Sequence, residues 1–230
     1  MHIEPGLVDA SKIALSYATA AAAGGFALKL AAETVRSAGV MSFFARVLLS
    51  AVLVFGFFEV LPHYPIGVSE VHFIFGSTLF LLFGAGPAAF GLALGLLIQG
   101  VFFSPIDLPQ YGMNLTTLLV PLFAVSALAG RIVKPHTAYV DLKYTEALAL
   151  STAFQAGVVA WVAFWAFYGR GLEAENLSAV ASFGGAYLLV ILVEPLADLA
   201  VLATAKLLRS LTCNPLFAAR LHRAGAPATA

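Results

Sequence analysis

The sequence predicts an all-α integral membrane protein of about seven transmembrane helices, with its amino terminus outside and its carboxyl terminus cytoplasmic. Three observations carry this prediction. Hydrophobic residues make up 61% and charged residues 10% of the 230 positions, against roughly 25% charged in an average soluble domain. No soluble fold of this length has enough interior to hide that surface. The apolar residues fall into seven runs separated by proline, glycine and charge, and lysine and arginine sort strongly to one side of them. The chain therefore holds a single polytopic domain, residues 1–210, whose first 12 residues pack on the outer face, followed by a short cytoplasmic tail, 211–230.

The first run, about 13–31, is alanine-rich and carries Ala14, Ala18 and Ala22 at four-residue spacing, which lets a neighbouring helix backbone approach closely. The second, about 42–61, stops at Pro62-His63-Tyr64-Pro65-Ile66-Gly67, where two prolines and a glycine bar continuation. The third, about 69–83, breaks at Gly84-Ala85-Gly86-Pro87, and the fourth, about 88–103, ends before Ser104-Pro105. As helices both would be short, roughly 24 Å, which leaves a recess at one face. The fifth run covers about 114–130 and the sixth about 144–168. The last, about 177–208, contains Glu194-Pro195 and fits either one kinked span or two short ones. Intramembrane Glu194 and Asp198 are costly in lipid and must face the protein interior or a partner.

With seven spans and the amino terminus outside, Lys29, Arg36, Arg46, Arg131, Lys134, Lys143, Lys206, Arg209, Arg220 and Arg223 lie on or near the cytoplasmic side, and only Lys12 and Arg170 face out. Splitting the last run would reverse the four basic residues of the tail, so it is kept as one. The topology places His2, His63 and His72 outside, with His136 and His222 inside. Zero net charge gives no reason to expect nucleic acid. The single cysteine, Cys213, excludes an intrachain disulfide and any multi-cysteine metal site. Lys12 follows Glu4 and Asp9, the reverse of a signal peptide's charge order, so Met1 is expected to be the mature amino terminus.

A histidine directly behind a free amine can grip a divalent metal. The Met1 amine and the His2 amide nitrogen close a five-membered chelate ring, and the same amide with His2 Nδ1 closes a six-membered one. Three nitrogens in one plane suit Ni²⁺ or Cu²⁺ and not tetrahedral Zn²⁺. A further imidazole is the natural fourth ligand: His72 is the first candidate and His63 the second. Outer-side acids Glu4, Asp9, Glu70 and Asp107 would favour an approaching cation.

Met1-His2-Ile3, followed by an acid and Gly6, resembles the amino terminus of the substrate-binding membrane subunits of cobalt and nickel energy-coupling-factor transporters, the CbiM/NikM family. Further matches come in order: Gly67-Val68-Ser69-Glu70-Val71-His72 with Gly76, then Ile98-Gln99, then Gly112-Met113-Asn114. They cover roughly residues 1–130; Glu4-Pro5 and Glu70-Val71 depart from the family's usual order and length. The resemblance implies Met1, His2 and His72 as metal ligands, with Gln99 and Asn114 close by to orient them. It implies a transport subunit that is not an enzyme, with no cofactor and with Ni²⁺ or Co²⁺ as transported substrate. Planar nitrogen ligation leans towards nickel, yet low-spin cobalt accepts similar ligands, so both stay open.

No Gly-rich loop ending in Gly-Lys-Ser/Thr is present to hydrolyse ATP. The resemblance therefore implies two cytoplasmic ATPase subunits, a transmembrane coupling subunit docked on Ala14, Ala18 and Ala22, a small accessory membrane subunit, and a prokaryotic inner membrane. A stand-alone nickel or cobalt permease using His63, Glu70 and His72 is the second expectation, and it would survive loss of the amino-terminal amine. A seven-span receptor or scaffold is the third. Lys206, near the cytoplasmic end of the last run, counts against a retinal protein.

Overall fold

The computed structural model describes residues 3–224. Its helices are α1 (Ala14–Ala38), α2 (Val40–Glu59), α3 (Gly76–Phe83), α4 (Ala85–Phe102), α5 (Tyr111–Ile132), α6 (Tyr144–Arg170), α7 (Ala174–Leu207) and the single turn α8 (Arg209–Thr212). A two-stranded antiparallel hairpin, β1 (Tyr64–Ile66) and β2 (Ser69–Val71), separates α2 from α3. Among the described residues, five segments are long and apolar enough to cross a membrane: α2, α4, α5 with the 3₁₀ turn before it, α6 and α7. α1 has 25 residues, which is sufficient length, but its alanine, glycine, serine and threonine content makes it less apolar.

The run over 69–83 is not one helix. Its first residues pair with Tyr64–Ile66, and helix begins only at Gly76. Eight residues of α3 extend about 12 Å, well short of a hydrocarbon core. The cause is local. Gly67, at φ 66°, turns the hairpin, and a β-carbon there would lie 2.0 Å from the Ala179 carbonyl oxygen of α7. The hairpin thus rests against α7, and the backbone between β2 and α3 finds hydrogen-bond acceptors on that helix instead of in a helix of its own.

Every residue of α3 is buried, so α3 is enclosed by protein and not by lipid. Gly84 (φ 87°, ψ 163°) ends α3 and starts α4 without a loop, in a conformation open only to glycine. α2 packs against α4, where Gly91 and Gly95 face Ser50 and Val54 too closely for any side chain. α6 packs between α5 and α7, and α1 lies across α4 and α5. Leu48 and Val52 on α2, and Leu188, Leu189 and Leu192 on α7, remain exposed, as expected of a surface whose solvent is hydrocarbon.

α7 runs unbroken through Pro195 for 34 residues, so the last run is one helix and not two. The chain beyond it folds back onto the bundle. Pro215 accepts from Ser42 Oγ at 2.5 Å and Arg46 Nε at 2.9 Å, and the Ala218 N–H donates to the Leu82 carbonyl at 2.7 Å.

Candidate metal site

The amino-terminal segment is anchored by its own apolar side chains: Ile3, Leu7 and Val8 are buried against the bundle. Ile3 forms an antiparallel bridge with Ser69, and the Glu4 N–H donates to the Val68 carbonyl at 3.3 Å. The segment therefore lies beside β2 as a partial third strand. From α5, the side-chain oxygen of Asn114 accepts the Ile3 N–H at 2.9 Å. Both groups are buried, and each satisfies the other.

His72 stands just past β2, not on a helix, and is 1% exposed. Residues 70 and 72 share one side of an extended chain, which brings His72 Nε2 to 3.0 Å from Glu70 Oε2. A neutral ring that donates from Nε2 to a carboxylate carries its lone pair on Nδ1. The Phe58 ring lies 5.4 Å away, and His63 stacks on His72 at 4.8 Å with planes 10° apart. Imidazole lone pairs lie in the ring plane, so two stacked rings point theirs along parallel planes and do not converge on one ion.

The backbone that carries His72 is held from α7. The Tyr187 hydroxyl hydrogen-bonds the His72 backbone, and Glu194 Oε1 accepts from the N–H groups of both Ile74 and Phe75 at 3.0 Å. Asp198, one turn on, accepts from the hydroxyls of Ser77, at 2.7 Å, and Thr78.

The structure thus brings together Ile3, Asn114, Ser69, Glu70, His63 and His72. Gln99 is buried near the end of α4, where its carbonyl accepts from the N–H groups of Phe103 and Ser104. Met1 and His2 lie outside the described residues. Among the described residues, no group of three or more His, Cys, Asp or Glu side chains converges to hold an ion. The pairing of Glu70 with His72 could have been anticipated from their i, i+2 spacing. The part played by Tyr187 and Glu194 carries no sequence signal beyond the cost of an acid within an apolar span.

Residues 2–210 match the family model described as CbiM, cobalt uptake substrate-specific transmembrane region. No curated protein and no solved structure matches the chain.

Proposed function

From the premise that this chain belongs to the CbiM family, the cobalt- and nickel-capturing membrane subunits of energy-coupling-factor transporters, we propose that it binds its ion between its amino terminus and His72. The chain is the non-catalytic, substrate-binding subunit of such a transporter. The finer assignment is a planar nitrogen site made by the Met1 amine, the His2 amide and imidazole, and a nitrogen of His72. The observation that supports it is the seating of Ile3: it is bridged to Ser69, three positions before His72, and it is covalently next to His2. Asn114 fixes this seating, and Glu70 orients the His72 ring, as carboxylates commonly do for metal-bound imidazoles. Stacking keeps His63 and His72 from converging on one ion, and the burial of His72 beside Glu70 supports it over His63 as the fourth ligand. Gln99 stays a candidate supporting residue. The ion is Ni²⁺ or Co²⁺.

The chain passes the membrane seven times with the amino terminus outside, its third pass made of residues 72–75 and α3. The count of cytoplasmic lysines and arginines supports this orientation. Residues 1–210 form the membrane domain and 211–230 the cytoplasmic tail. Ala14, Ala18 and Ala22 are exposed on α1 and offer a close-approach face to the transmembrane coupling subunit. Two ATPase subunits supply the energy, a small accessory membrane subunit completes the complex, and the assembly sits in a prokaryotic inner membrane.

Metal analysis of purified protein tests the site. One equivalent of Ni²⁺ or Co²⁺ is expected on the native chain. It should be lost from His2→Ala and from a chain with one residue added before Met1. Undisturbed metal in the extended chain would overturn the amino-terminal chelate and favour a side-chain cluster instead.

A further inference from the structure

We propose that Glu194 of α7 is a positioning residue for the metal site, one that sets the aim of His72 by holding the unwound backbone that follows it. The inference rests on the proposed role of His72 as a ligand. Its evidence is geometric. Glu194 is completely buried, and its Oε1 takes the N–H groups of Ile74 and Phe75, two and three residues after His72, each at 3.0 Å. Its other oxygen accepts from Gln155 Nε2 on α6, so the carboxylate is gripped from both sides and cannot turn away.

Capping of α3 alone does not account for this arrangement. A capping side chain ordinarily takes the N–H groups of the second or third helical residue, which here are Ser77 and Thr78. Glu194 instead takes the two N–H groups that precede the helix, on the His72 side. The beginning of α3 is fastened separately, by the Asp198 contacts to the Ser77 and Thr78 hydroxyls. The segment between is strained. Phe75 sits at φ 53°, the left-handed region, which a bulky residue keeps only where its surroundings over-determine it. Glu194 and Tyr187, two turns apart on α7, hold that segment from opposite ends, since the Tyr187 hydroxyl meets the His72 backbone. A buried carboxylate in a membrane-spanning helix is kept when specific bonds offset its desolvation, and the bonds here are spent on the two peptides beside a ligand.

The test is Ni²⁺ titration of metal-stripped, full-length protein, read as dissociation constant and as the ligand-field absorption band of the bound ion. Glu194→Ala is expected to weaken binding about 10- to 100-fold, the usual cost of removing a group that orients a ligand, and to shift the band. Glu194→Gln, which keeps an acceptor oxygen, should restore most of both. In a His72→Ala background, Glu194→Ala should have no further effect on affinity. Unchanged affinity and band in Glu194→Ala overturn the proposal. So does an equal loss with and without His72, which would mark a merely structural residue. If His72→Ala alone leaves binding and band unchanged, the ligand assignment itself fails, a separate and visible outcome. Should Glu194→Ala not fold, Gln155→Leu, which frees the carboxylate on its α6 side, takes its place. A loss of about threefold or more with a shifted band then supports the proposal, and an unchanged titration overturns it.

Discussion

The N–H of Ile3 donates to the side chain of Asn114 at 2.9 Å, joining residues 111 positions apart. This bond and the Ile3–Ser69 bridge fix the chain one residue after His2. Replacing Asn114 with Leu leaves a buried N–H without its acceptor, a cost of about 1–3 kcal/mol. The expected outcome is a lower melting temperature and about tenfold weaker Ni²⁺ binding, read by thermal unfolding and metal titration of the same sample.

Gly67 occupies φ 66° where an added β-carbon would meet the Ala179 carbonyl oxygen at 2.0 Å. Gly67→Ala must therefore push the hairpin off α7, at a cost above ~1 kcal/mol. Because the hairpin carries Ser69 and leads into His72, metal affinity should fall with stability. Gly130→Ala, at a position with open space around it, is the control and should leave both unchanged.

Arg46 is buried on α2 and donates from Nε to the Pro215 carbonyl at 2.9 Å and from Nη1 to the Phe83 carbonyl at 3.4 Å. Arg46→Met removes both donors and releases the folded-back tail. Trypsin should then cut at Arg220, which is itself buried in the intact protein, many times faster than in the native chain. An unchanged cleavage rate would show that the tail is held elsewhere.

Much of the helical frame was legible from punctuation. Pro62, Gly84 and Pro105 fall within three residues of real helix ends, because a missing N–H or a positive φ acts locally. The hairpin was not legible. Its strands have three residues each, too few for an alternating pattern, and Pro65 argues against a strand except at an edge. Ser69-Glu70-Val71 therefore merged with the apolar residues that follow into one apparent helix. Pro195 by itself left one helix or two open, and the lysine and arginine count kept it as one; α7 does continue through it, since a helix packed on its neighbours can carry one lost hydrogen bond. In the site, His72, Glu70 and Asn114 stood out because polar side chains are rare in this chain. Glu194 stood out equally, but its role depends on a contact across 120 positions, which no local pattern encodes.

The eight-residue α3 has a mechanical consequence. At its upper end it is tied to the acids of α7, and at its lower end to Arg46 and to the returning tail through Phe83 and Leu82. A strut about 12 Å long, wholly walled in by side chains, therefore joins the His72 segment to the residues beyond α7. Load applied to the tail would reach the strut through the Ala218–Leu82 bond as directly as it reaches α2 through Pro215. The His72 segment and the returning tail are then joined through one buried helix.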